Sequence, residues 1–251
     1  MRFHVVPSLL AALAVLASCS GGDDTTTVTV RETATETSTA PEETTLKVYL
    51  LDDGKVAPVS RTVEASPAVG RAALDALLQG PENEELKTAI APETEFERLA
   101  VSGGVARVES TATLSRPALA QVVYTLTQFP TVRRVSVAGA PPVSRRAFEQ
   151  LTPAILVESP LPGEEVESGF QVTGTANTFE ATFQYELRDA SDKVIAKDFV
   201  TATSGSGTRG TFRFTVDYEV SSPQEGRLVV FEISAEDGSR THESSIPLAL
   251  R

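Results

Sequence analysis

Two side chains in this sequence are obvious carriers of chemistry, and each stands alone. Cys19 is the only cysteine. Its thiolate could act as a nucleophile, a metal ligand or an acceptor of lipid, and with no second cysteine it cannot form an intramolecular disulfide. His242 is the only histidine after His4. Imidazole is the side chain best suited to general-base work near neutral pH. A Ser-His-Asp site would have to rest on this one ring, and no nucleophile-elbow motif accompanies it. Zinc would need carboxylates for nearly all of its ligands. Asp189, Asp192, Glu236 and Asp237 fall in predicted loops and are the candidates for calcium, but their spacing matches no EF-hand loop. Such acids are ordinarily just solvated. Glu180 and Glu232 each follow a phenylalanine, Phe179 and Phe231. The plain expectation is that each Phe packs inward while its Glu faces solvent or bonds a neighbouring strand. The sharper one is a ligand-facing acidic pair. Neither a phosphate-cradling glycine loop nor a dinucleotide fingerprint occurs. No catalytic, cofactor-binding or metal-ligating residue is assigned, and the chain is read as a non-enzyme.

The charge balance narrows the partners. The chain has 251 residues and a formal net charge of −12, whereas nucleic-acid binding needs clustered Lys or Arg to neutralise phosphates. The longest basic runs are the pairs Arg133-Arg134 and Arg145-Arg146, which read as solvated surface. No nucleic-acid role is expected. At the N-terminus, Arg2 precedes a stretch from Val5 to Ala17 that is apolar except for Ser8. It is shorter than the roughly 20 residues a spanning helix requires and fits the apolar core of a secretory signal peptide. It ends in Leu16-Ala17-Ser18-Cys19, which resembles the bacterial lipobox. Cleavage before Cys19, lipidation of Cys19 and retention on the extracytoplasmic face of the cell membrane are the expectations. Two or three acyl chains, at about 0.8 kcal/mol per buried CH₂, anchor stably.

Residues 19–45, rich in threonine and acids and without apolar periodicity, cannot offset the entropy of ordering and are expected to be a disordered tether. From Leu46 the pattern changes. Leu46–Leu51 and Lys55–Val63 read as strands around the Asp53-Gly54 turn. A helix follows, with Ser66 as N-cap, Pro67 at its first position and Gly80-Pro81 as its stop. Phe96–Val101 and Val105–Val108 form a hairpin. A second helix is capped by Ser115 and stopped by Pro130, with Ala118, Val122, Thr125, Leu126 and Phe129 on one face. Val132–Val137 is the last strand. The order ββ-α-ββ-α-β over 46–140 predicts an α+β sandwich with helices on one sheet face. Residues 141–151 are a connector with a short helix after Ser144. From 152 to 251 only strands are predicted, with clean alternation at Phe183, Tyr185 and Leu187, at Phe212, Phe214, Val216 and Tyr218, and at Val229, Phe231 and Ile233. Seven short strands over such a length predict an all-β, immunoglobulin-like sandwich without the Cys–Trp–Cys core of antibodies.

Two resemblances attach to these residues. The Asp-Gly turn, Leu77-Leu78-Gln79-Gly80-Pro81 and Phe129-Pro130-Thr131-Val132 resemble the GerMN domain of sporulation and germination proteins. Ser110-Thr111-Ala112-Thr113 departs from that family's more usual Asp-Leu-Ser. Val157-Glu158-Ser159-Pro160, Val172-Thr173-Gly174-Thr175-Ala176 and Val230-Phe231-Glu232-Ile233-Ser234-Ala235 resemble the immunoglobulin-like domain found beside GerMN in spore germination proteins. The resemblances imply a non-catalytic envelope lipoprotein presenting two interaction modules, a scaffold or signalling accessory to sporulation- and germination-type assemblies. Its expected partners are the membrane, through the lipid, and other envelope proteins. The alternative is a module that binds cell-wall glycan or peptide, disfavoured by the absence of Trp and the presence of only four Tyr.

Overall fold

The computed structural model describes residues 42–251. The expected signal peptide, Cys19 and the expected tether through residue 41 lie outside the described residues. In the first domain β1 (Glu43–Asp52) and β2 (Lys55–Glu64) form an antiparallel hairpin. They are followed by α1 (Val69–Leu78), β3 (Phe96–Ser102), β4 (Val105–Ser110), α2 (Arg116–Leu126) and β5 (Arg134–Val137). The order agrees with the sequence pattern. β1 begins at Glu43, three residues before its expected start at Leu46, because Thr44 and Thr45 find cross-strand partners in Val63 and Thr62. α1 begins two residues later than expected. Ser66 Oγ accepts the Ala68 N–H (3.1 Å) and closes a local turn, which leaves Ala68 rather than Ser66 at the helix N-cap. At α2 the cap is as predicted: Ser115 accepts from the Ala118 N–H at 3.3 Å.

The single sheet is a correction. β1–β2 and β3–β4–β5 are two separate sheets, and α2 touches β1, β5 and α1. The outer edge of β1 shows why. Lys47, Tyr49 and Leu51 turn their peptide groups away from β2, and no strand receives them. Instead the Gln128 carboxamide accepts the Lys47 N–H (3.1 Å) and donates to the Lys47 carbonyl (2.6 Å). Thr125 Oγ1 accepts the Tyr49 N–H (3.0 Å) and Gln121 Nε2 donates to the Tyr49 carbonyl (3.1 Å). Leu51 exchanges both bonds with the Lys87 backbone (2.8 Å each). Gln121, Thr125 and Gln128 recur at the 4- and 3-residue spacing of one helical face, so α2 and the turn after it do for β1 what a neighbouring strand would. The hairpin's other edge is closed to pairing differently. Pro58 lies opposite Tyr49, so its missing N–H falls on the outer edge of β2, the position proline tolerates in a sheet.

After a 3₁₀ helix at Arg145–Leu151, the second domain is all strand: β6 (Ile155–Ser159), β7 (Glu165–Val166), β8 (Phe170–Ala176), β9 (Thr182–Arg188), β10 (Val194–Thr201), β11 (Gly210–Val216), β12 (Gln224–Ile233) and β13 (Arg240–Leu250). They form two sheets, ordered β10-β9-β12-β13-β7 and β11-β8-β6. β7, two residues long and paired parallel to β13, is too short to leave a periodic signal. The alternating positions meet between the sheets, where Phe183 packs on Phe212 at 4.9 Å and Tyr185 stacks on Phe214 at 4.7 Å. This aromatic cluster occupies the place of a disulfide–tryptophan core. Gly174 lets the small sheet close: a Cβ there would lie 2.0 Å from the Leu156 carbonyl oxygen and 2.6 Å from the Phe212 ring.

Candidate functional site

A dense polar constellation lies where the two domains meet. Arg145 lies over the Tyr124 ring at 4.5 Å and the Tyr49 ring at 5.3 Å from the centroids. It donates to Thr127 Oγ1 (2.7 Å), Glu158 Oε1 (2.7 Å) and the Tyr124 carbonyl (3.2 Å). The Tyr49 hydroxyl donates to the same Glu158 oxygen. Burial, followed by the Glu158 charge, pushes the Tyr49 phenol far above its ordinary range. Burial alone would raise Glu158; the Arg145 charge and the Tyr49 hydroxyl outweigh it and hold the carboxyl below its usual value. A second link runs alongside. Glu149 accepts a two-pronged bond from Arg209 (2.9 and 3.0 Å) and one from Asn177 (2.9 Å), and Arg209 also donates to the Pro153 carbonyl (2.7 Å). Phe148 and Leu156 belong to the first domain's apolar core. Bidentate guanidinium–carboxylate pairs of this kind fix geometry as well as contribute energy. The constellation binds β1, α2, the connector and β6 together, and its acid and base are spent on each other.

Arg145 therefore corrects one reading from the sequence. Of the pair expected on the surface, Arg146 is exposed but Arg145 is half-buried in this joint. Its partners Tyr49 and Glu158 are 96 and 13 residues away, and no local spacing signals their meeting.

Three of the four predicted calcium acids, Asp189, Asp192 and Asp237, are occupied by turns and ion pairs, and the fourth, Glu236, is exposed. Asp189 Oδ1 accepts from the Ser191 hydroxyl (2.7 Å) and N–H (2.9 Å), which lowers its pKa. Asp237 does the same with Ser239. Asp192 pairs with Arg188 and Arg227. Among the described residues no three His, Cys, Asp or Glu side chains group as a metal site would need. Cys19 lies outside the described residues.

Around Glu180 and Glu232, the expected inward packing of the neighbouring Phe is overturned at Phe179. Phe231 is buried, on the sheet face away from the core, under the Arg240 guanidinium at 3.8 Å. Glu232, 8% exposed, bonds His242 on the neighbouring strand β13, as expected, whereas Phe179 is 58% exposed. The cause is the backbone. Glu180 and Ala181 are both left-handed, with φ of 53° and 59°, a conformation that costs a non-glycine residue on the order of 1–3 kcal/mol. The turn holds because Glu232 Oε1 accepts the Phe179 N–H (2.6 Å), Ser206 Oγ accepts the Glu180 N–H (3.0 Å) and Ser206 N–H reaches the Thr178 carbonyl (2.8 Å). Only glycine fits at 205, where a Cβ would lie 2.5 Å from the Ala181 backbone. Phe179 is thereby turned outward. The other Glu232 oxygen lies 2.8 Å from His242 Nδ1, so the one candidate base serves as a side-chain partner of Glu232.

Exposed large apolar side chains gather at two places. Val69 and Val101 line a groove of about 800 Å³ in the first domain, between the start of α1, the edge strand β3 and the Phe129-Pro130-Thr131-Val132 segment. Phe179, Phe199 and Ile233 line a hollow of about 220 Å³ in the second, with Glu232 also in its wall. A further cleft of about 560 Å³ separates β2 from β6 and β13.

Residues 47–139 match the family model described as sporulation and spore germination. Residues 154–239 match the immunoglobulin-like domain of bacterial spore germination; β13, beyond that match, completes the larger sheet. No curated protein matches the chain. Among solved structures, a candidate lipoprotein from Clostridium perfringens is 18% identical over 38% of this chain and 73% of its own, with a TM-score of 0.26. CopC from Methylosinus trichosporium OB3b is 12% identical over 38% of this chain and 92% of its own, with a TM-score of 0.25. The chain joins a GerMN domain of the sporulation and spore germination family to the immunoglobulin-like domain of bacterial spore germination proteins, in that order.

Proposed function

We propose that this protein is a non-catalytic, lipid-anchored accessory of a germination-type envelope assembly. It is held by acyl chains on Cys19 at the extracytoplasmic face of the membrane and works by binding partner proteins. The observation that carries the reading is the sorting of exposed apolar side chains into one concave surface on each domain. Exposed apolar side chains grouped in a concave surface suit protein–protein contact better than ones scattered singly. The joint around Arg145 supports it further, because it presents both surfaces on one compact unit.

The anchor and the role are tested separately. Cells carrying Cys19→Ala are labelled with fatty acid and fractionated; the variant is expected to lose label and membrane retention while its domains stay folded. A variant that remains in the membrane fraction refutes the anchor. Screening the purified protein against peptidoglycan fragments and generic ester and peptide substrates tests the accessory role, and turnover abolished by a single Asp, Glu or His substitution would refute it.

A further inference from the structure

The hollow beside Phe179 has a specific chemistry. Its walls are Phe179 and Phe199, the latter 69% exposed, with Ile233, Thr182 and Gln184, and its one charged lining residue is Glu232. Two exposed aromatic side chains beside a single anion suit a side chain with an apolar stem and a cationic head. We propose that this hollow receives one Lys or Arg side chain of a basic partner protein, its stem between the phenyl rings and its head at Glu232.

Three observations favour this occupant. Glu232 uses one oxygen for the Phe179 N–H and the other for His242, and a carboxylate has about four acceptor positions, so it can take a further donor. An exposed acid, Glu180, adjoins Phe179 in sequence. A formal charge of −12 draws basic partners and disfavours both an anionic bilayer and a second copy of this chain. The strained turn supplies the remaining argument. Left-handed φ at two consecutive non-glycine residues, braced by Glu232, Ser206 and Gly205, serves to turn Phe179 out of the sandwich.

This deepens the binding role proposed above, and its test depends on neither the anchor nor the absence of catalysis. The full chain in a neutral detergent is titrated into fluorescent pentapeptides, acetyl-Gly-Leu-X-Leu-Gly, with X as Arg, Lys, norleucine or Glu, and anisotropy is read. The Arg and Lys peptides are expected to bind about tenfold or more tighter than the norleucine peptide, with the Glu peptide weakest. Phe199→Ser, at an exposed site, should abolish binding. Glu232→Gln keeps an acceptor for the Phe179 N–H and should erase the preference for Arg and Lys over norleucine. Equal binding of the norleucine peptide, no binding of the Arg and Lys peptides, or indifference to Phe199→Ser would overturn the proposal. So would a Phe199-dependent affinity for phosphatidylglycerol vesicles or for a second copy of the chain in place of the basic peptides.

Discussion

Replacing Gln121 with Met isolates the role of α2 in closing the edge of β1. Gln121 has no solvent exposure. Its Nε2 donates to the Tyr49 carbonyl (3.1 Å) and its Oε1 accepts the Ala89 N–H (2.8 Å). Met is close in volume, so little cavity or overpacking arises. The loss is therefore polar: the buried Tyr49 carbonyl and the part-buried Ala89 N–H are left without partners, at about 1–3 kcal/mol each. A destabilisation of about 3 kcal/mol is expected, which for a folded unit of this size lowers the melting temperature by roughly 6–12 °C. Thr125→Val, which removes only the acceptor of the Tyr49 N–H, should cost about 1–3 kcal/mol. Urea unfolding of both variants, followed by circular dichroism and tyrosine fluorescence, measures the effect. A Gln121→Met cost below about 1 kcal/mol would refute the argument, since it would mean that water or a shifted strand satisfies the β1 edge.

Acid should loosen the joint between the domains. The folded-state pKa of Glu158 and of Glu149 is depressed, so their stabilising contribution is present above the ordinary carboxylate pKa of about 4.3 and is lost as pH falls below it. Melting curves from pH 7 to pH 3 should show Glu158→Gln clearly less stable than wild type at neutral pH, the gap closing in acid; a gap independent of pH would contradict the assignment. Gly174→Ala should destabilise the second domain by about 3 kcal/mol or more, because the added methyl meets the Leu156 backbone rather than a movable side chain. Thermal unfolding of that variant indistinguishable from wild type would show that β8 shifts freely.

Much of the fold is a local property of the chain and was legible as such. Period-2 alternation at Phe183, Tyr185 and Leu187 marks a strand with one face in a core, and those residues line the sandwich. Ser115 and Pro117 mark the start of α2 because capping chemistry acts within one turn. The tertiary structure alone decided three things. It separated the hairpin from the second sheet, because whether an edge meets a strand or a row of helix side chains depends on Gln121 and Gln128 reaching residues more than 70 positions away. It made Arg145 a buried joint while Arg146, identical in type and adjacent, stays in water. It also turned Phe179 outward. An isolated Phe-Glu dipeptide puts its ring in and its acid out, by transfer energy alone. Here a braced left-handed turn presents the Phe179 ring to solvent, with Glu232 on β12 accepting the Phe179 N–H.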